Sequence, residues 1–400
     1  VSEQATENLK FLAQALSGHP SPVAWAELSS GDWQGLVEGA ERQRVAPLLY
    51  QQLQSSGWPE APPHVARQLR SAYYHSSGLN LMLFEELGRV LGALAIQANE
   101  PKVVLLKGAA LASTLYRNIA LRPMSDIDLL VPRERMDAAV GALRSLGYRD
   151  YSPEMAPGLA EVTHYHAAMH GGPHGQVGVE LHWGLISGES DWRSPSLSWF
   201  WSETEPWNWE SPTAGRLEAL QLKPTPHLLY LAAHLLLQHG SAGAQLVWYY
   251  DLHLLLRDWG SRVEWEALRR RASEFRWTAA LRGALEATRE LFGTTLPPGF
   301  VESLDVAGDS AASRLVQSKA DPMKRGARVW LELGSLDWSG RARLVRSILW
   351  PSADYMRWRY APRPAWAWPL YYPYRLGVVL AELLGSLKGL LRRRGRRPIT

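Results

Sequence analysis

The sequence predicts an α+β protein, with a compact mixed α/β unit set within mostly helical N- and C-terminal regions. Three observations predict it. Apolar residues recur at helical spacing through residues 1–98, short apolar runs bounded by Gly and Pro fill 101–185, and helical spacing returns from Thr225. The chain has 400 residues, 46% hydrophobic and 20% charged, the composition of an ordinary globular protein, which excludes disorder as the dominant state. It has no cysteine, which excludes disulfide scaffolds, thiol nucleophiles and Cys-based zinc sites.

In the N-terminal region, Leu9, Leu12, Ala13 and Leu16 share a helix face. Trp25 to Leu36 and Ala46 to Leu53 read as two further short elements, and Pro63 to Ile96 as one long amphipathic helix. No polar chemistry is expected in this region. The texture changes at Pro101. Val103 to Leu106 is a short buried strand that ends at Lys107-Gly108, and a helical pattern follows from Ala109 to Tyr116. Asp126 to Val131 is a second buried strand, closed by Pro132, and Arg133 to Leu146 is a helix closed by Gly147. Val162 to Met169 and Val177 to Trp183 flank the turn Gly171 to Gly175 as a hairpin. Residues 186–225, with Trp192, Trp199, Trp201, Trp207 and Trp209, read as a crossing loop with aromatic anchors. Helices follow over His227 to His239, Leu246 to Trp259, Trp265 to Phe275 and Thr278 to Phe292. The expected division is therefore 1–98, 99–185, 186–300 and a Trp/Arg-rich tail over 301–400.

The net charge of +4 conceals an asymmetry. From Met323 to Thr400 there are 16 basic and 4 acidic residues, and the preceding 322 residues carry a net −8. The basic character belongs to the tail and is no evidence for a nucleic-acid-binding core. Leu376 to Leu391, followed by five arginines among residues 392–397, reads either as a membrane-surface helix with a polybasic anchor or as a terminal helix packed on the body. Nucleic-acid contact by the tail is a third reading. No run of roughly 18 apolar residues is present, so no transmembrane segment is expected. The opening VSEQATENLK lacks a basic segment followed by an apolar one, so no signal peptide is expected, and the prediction is a cytoplasmic protein with peripheral membrane contact through 376–397 as an option.

The chemistry concentrates in three places. In a strand, residues two apart share a face, so Asp126 and Asp128 project together while Ile127 and Leu129 face the other way. Two such carboxylates repel unless a cation lies between them, and hard cations such as Mg²⁺ take oxygen ligands shared with substrate phosphates. Glu180, flanked by Val177, Val179 and Leu181, supplies a third carboxylate, completing the usual base of a two-metal phosphoryl-transfer site. Gly108, at a strand-to-helix junction, lets backbone N–H groups approach a phosphate, and Lys107 beside it offers a point charge to a triphosphate.

At Lys107-Gly108, Arg122-Pro123-Met124-Ser125-Asp126-Ile127-Asp128-Leu129-Leu130-Val131 and Glu180-Leu181-His182-Trp183, the chain resembles an uncharacterised bacterial nucleotidyltransferase family of the polymerase-beta-type superfamily. The resemblance extends more weakly over about residues 20–300. It implies a small mixed β-sheet nucleotidyltransferase core flanked by mostly helical N- and C-terminal regions. It implies Mg²⁺-dependent transfer of a nucleoside monophosphate from an NTP, with pyrophosphate released. Asp126 and Asp128 match the metal-binding pair, Glu180 the third carboxylate, and Gly108 the phosphate-loop glycine. The superfamily usually has Gly-Ser or Gly-Gly at that loop, whereas this chain has Gly108-Ala109-Ala110. The nearest hydroxyl is Ser113, a turn away, and Lys107 is the candidate substitute.

Other readings stand beside these. The Asp-x-Asp pair also fits a solvated strand end, Glu180 a surface acid, and Lys107 a snorkelling strand-end side chain. His164, His166, His170, His174 and His182 fit a phosphate-facing role, a plain surface hairpin or a zinc site. Arg122 fits a phosphate contact or a pair with an acid. His166, and His234 with Asp251, fit contacts to base or acceptor, or for the latter two an interhelical polar pair. A non-catalytic nucleotide-binding protein and a toxin-type enzyme acting on tRNA remain alternatives. The acceptor, whether small molecule, peptide, protein or RNA, is not encoded in a readable motif.

Overall fold

The structure is a computed structural model describing residues 3–17, 25–58, 61–96, 102–153, 155–156, 165–172, 175–186, 196–211, 215–241, 243–306, 338–361 and 364–381. Val162 and His164, His174, Trp192 and the tail beyond 381 lie outside the described residues.

Four helices open the chain: α1 Glu3–Leu16, α2 Ser30–Arg42, α3 Ala46–Ser55 and α4 Pro63–Ile96. Ser29 and Asp32 form a reciprocal capping box that starts α2. The 34 residues of α4 span about 50 Å at 1.5 Å per residue. Then come β1 Val104–Leu105, α5 Lys107–Thr114, β2 Asp126–Leu130, α6 Met136–Ser145, β3 Arg149–Asp150, β4 His166–Gly171 and β5 Val177–His182. The stretch expected as a crossing loop instead contributes β6 Thr204–Ser211 and β7 Gly215–Leu222, a hairpin that extends the sheet. Pro206 removes an N–H donor, which only an edge strand tolerates, and β6 is the edge.

The fold is α+β. Its seven-stranded mixed sheet has the order β3-β4-β5-β2-β1-β7-β6. β2 runs parallel to β5 and β1 parallel to β7, and the remaining neighbours are antiparallel. Strand alternation separates two cores. Ile127, Leu129, Leu105 and Val179 pack with Phe84, Leu87 and Val90 of α4 and with Leu143 of α6. Val104, Leu106, Leu130 and Leu222 face the opposite side and join α1–α3 and the helices after Pro224. α4 feeds both cores, through Val65 and Leu69 at one end and Leu83 to Leu94 at the other.

Helices Pro224–Ala233, Leu246–Trp259, Trp265–Glu274 and Thr278–Phe292 cover that second face. The first continues into a six-residue π-helical segment, His234–His239. Helices Trp338–Leu349 and Ala353–Tyr360 follow. Among the described residues, no helix is long and apolar enough to cross a membrane.

Candidate active site

The parallel pairing of β2 with β5 sets Asp128 beside Glu180 and Leu130 beside His182. Asp126, Asp128, Glu180 and His182 therefore project from one face, the one covered by the later helices. At the end of β1 the Leu106 amide donates to the Asp128 carbonyl at 3.0 Å. Lys107 follows with φ 46°, a left-handed conformation that costs energy in a residue with a Cβ. The turn brings its ammonium back over the sheet, where Nζ donates to Asp128 Oδ1 at 2.7 Å and lies 3.9 Å from Glu180 Oε2.

His182 is fully buried, with Nε2 2.9 Å from Asp128 Oδ1 and 3.3 Å from Glu180 Oε2. His166, opposite His182 on β4, has Nε2 3.7 Å from Glu180 Oε1. Ligand atoms of His166, Glu180 and His182 all lie within 4.8 Å of one another, the one such group of three or more metal-ligating side chains among the described residues, and it includes neither Asp126 nor Asp128.

These contacts divide the charge unequally. Burial alone would raise the Asp128 carboxyl, but Lys107 and His182 hold it well below the usual carboxylate range. Burial likewise opposes the charge on Lys107, and Asp128 restores it, holding the ammonium well above its usual range. Asp126 also feels Lys107 and the Ser125 hydroxyl, but these do not outweigh what opposes its charge. Burial, then the charges of Asp128 and Glu180, push it up to about 6.

A cleft of about 240 Å³ opens over this face, with Lys107, Gly108, Asp126, Asp128 and Glu180 among its lining. Arg44, Tyr165 and His166 line it too, as do His234, His239 and Trp248. The π-helical segment carries both of those histidines, whose ring centroids lie 4.8 Å apart, and His239 lies 4.4 Å from the Trp248 ring. A wide turn of this kind is frequent at functional sites. Burial, then the charge of Lys107, keeps His234 neutral well below its ordinary range. A Cβ at Gly108 would meet Met124 Cγ at 3.0 Å and sit 3.6 Å from Arg122 Nη1, so glycine keeps this corner open.

Two expected site residues sit differently. Ser113 points away from the cleft lining, accepting from the Trp207 indole at 2.9 Å and bonding back to Ala109 and Ala110. Asp251 is buried in a bidentate pair with Arg122, at 2.9 Å from Nε and 2.8 Å from Nη2, and it accepts from Tyr116 Oη at 2.7 Å. Its partner is therefore Arg122 rather than His234, and Arg122, while paired with this acid, also lines the cleft.

Sequence reasoning missed three residues. Asn80, fully buried on α4, donates to the Arg122 carbonyl at 2.8 Å and accepts from the Met124 amide at 3.1 Å, anchoring the lead-in to β2. The expectation that the N-terminal region holds no polar chemistry is corrected by this side chain. Arg44, with φ 58°, reaches the Pro123 carbonyl at 3.3 Å. Tyr165, whose hydroxyl burial pushes up to about 12, closes the cleft beside His166. An asparagine among apolar residues on a long helix was the one available signal. Arg44 and Tyr165 carry none.

Residues 29–293 match the model of a family described as an uncharacterised nucleotidyltransferase. No curated protein matches the chain.

Proposed function

This chain belongs to the uncharacterised nucleotidyltransferase family, and on that premise we propose that it transfers a nucleoside monophosphate from an NTP to an acceptor, releasing pyrophosphate. The observation that carries the reading is the convergence of Asp126, Asp128 and Glu180 with Lys107 on one cleft. The three carboxylates offer oxygen alone, the donor preferred by Mg²⁺. The upward push on Asp126 by burial, Asp128 and Glu180 is a strain that a divalent cation would relieve, which supports this donor set, and His166 and His182 stand within ligand reach of Glu180. Asp126, Asp128 and Glu180 would hold two ions, which when bound offset charge on the attacking and leaving oxygens.

The chain's own groups supply the rest. α5 starts at Lys107 without a side-chain cap, so the N–H groups of its first turn remain for an anion beside Gly108. Lys107 meets the triphosphate as a point charge. Glu180 takes the proton of the acceptor nucleophile as its bond to the α-phosphorus forms and the α–β bridging bond breaks. His166, His234, His239 and Trp248 border the space left for base and acceptor.

Incubation with each of four α-labelled NTPs and Mg²⁺ in native lysate tests the reading. The wild type labels an acceptor, and Asp126→Asn and Asp128→Asn reduce labelling at least about a hundredfold with circular dichroism unchanged. Retained labelling in the double variant overturns it. Calorimetric binding of Mg-NTP without pyrophosphate release toward any acceptor would support a nucleotide-binding protein instead.

A further inference from the structure

Eleven of the fifteen exposed large hydrophobic residues among those described lie in one stretch, Trp338 to Leu380. Trp338, Trp350 and Trp366 are 82%, 74% and 74% exposed. Monomeric surfaces carry such side chains singly, and a concentration of them marks an interaction site.

The helix Trp338–Leu349 is apolar on two sides. Gly340, Leu344 and Ser347 are buried and share one face, and Leu344 packs on Met155 and Ala156. Trp338, Val345 and Leu349 recur at intervals of seven and four, the spacing of a single stripe, and all three are exposed. The helical stretch 371–381 is anchored by polar contacts and also exposes apolar side chains, which spread around the helix rather than along one stripe. Tyr372 donates to the Pro351 carbonyl at 2.6 Å and Arg375 to the Ile348 carbonyl at 3.2 Å, while Tyr374, Leu376 and Leu380 are exposed. The inward contacts of both helices are therefore already made, while Trp338, Val345, Leu349, Tyr374, Leu376 and Leu380 remain exposed.

The chemistry of the outer face names its partner. Residues 338–381 hold seven arginines and one acid, with five tryptophans and five tyrosines. Tryptophan and tyrosine settle at the membrane–water interface, and arginine is drawn to anionic headgroups. Arg341 lies 5.3 Å from the Trp338 ring and Arg357 4.9 Å from that of Trp368, so the cations are interleaved with the rings. A protein partner matched to aliphatic grooves would not require this charge, and an RNA partner would not require Val345, Leu349, Leu376 and Leu380.

We propose that the exposed tryptophan, tyrosine and arginine side chains of residues 338–361 and 364–381 attach the protein to a bilayer surface containing anionic lipid, as a peripheral and non-spanning contact. This does not depend on the transfer activity.

Flotation of the full chain with phosphatidylglycerol vesicles, against phosphatidylcholine vesicles, tests it. The chain floats with the anionic vesicles, and its tryptophan emission shifts to the blue. Trp338→Ser with Trp350→Ser and Trp366→Ser lowers partitioning at least about tenfold. Arg343→Gln with Arg346→Gln lowers it about fivefold per charge removed. These side chains are on the surface, and an unchanged melting temperature verifies the fold of each variant. Absence of flotation, equal partitioning to both vesicle types, or indifference to the tryptophan variant overturns the proposal. Retention by immobilised tRNA with no vesicle binding overturns it in favour of RNA.

Discussion

The ammonium of Lys107 lies 2.7 Å from Asp128 Oδ1 and 3.9 Å from Glu180 Oε2, so it stands where a cation shared by those carboxylates would stand. A divalent ion held there, as proposed, would compete with it for the same oxygens. Lys107→Met is therefore expected to tighten Mn²⁺ binding to the nucleotide-free protein at least about tenfold, read as free Mn²⁺ by electron paramagnetic resonance. Arg44→Met removes an equal charge from the cleft wall without vacating those oxygens. If it tightens Mn²⁺ as much as Lys107→Met does, competition at Asp128 is wrong and only the overall field matters. The Asp-x-Asp pair was legible because a two-residue period fixes which side chains share a face, Lys107-Gly108 because it ends a strand, and the Glu-Leu-His-Trp run through the family resemblance. That Lys107 folds back onto Asp128 was not, because a left-handed backbone at a lysine leaves no mark in the sequence.

At the scale of elements, the helix Pro224–Ala233 and its π-helical extension pack against the sheet with the His227 ring fully buried. Among the described residues, neither ring nitrogen of His227 has a hydrogen-bond partner, and burial pushes it down to about 4. In the unfolded chain the same group titrates near 6.5. The folded state thus binds fewer protons between those values. The stability this neutral ring preserves is fully present above pH ~6.5, and up to about 3 kcal/mol is lost as pH falls to ~4. Replacing the ring with an apolar side chain removes that loss. Chemical denaturation of His227→Leu at several pH values is expected to show a shallower acid limb than wild type, and parallel limbs would contradict the assignment. Helical spacing made these elements readable from sequence. The hairpin β6–β7 was not, since Trp207 and Trp209 alternate with Asn and Glu beside Pro206, a pattern equally suited to an anchored loop.

Across the whole molecule, the sheet and the later helices are joined by the buried pair Arg122–Asp251, 129 residues apart in sequence. Such a separation hides the partnership from any local pattern, whereas the order of helical, mixed and helical regions was visible in composition and period. Breaking one side of a buried pair strands the other charge, so Asp251→Asn is expected to cost about 3–5 kcal/mol in urea unfolding. Arg122→Met with Asp251→Leu is expected to recover most of that loss, and a double variant as unstable as the single would refute the pairing argument. The helix α4 gives the molecule a related property. One end lies in the core above the sheet and the other in the core below it, with Asn80 between them holding the lead-in to β2. The strands bearing the carboxylates are consequently not a portable cassette. Grafted elsewhere without α4 and the later helices, they would wet both faces and lose the strut that aligns them.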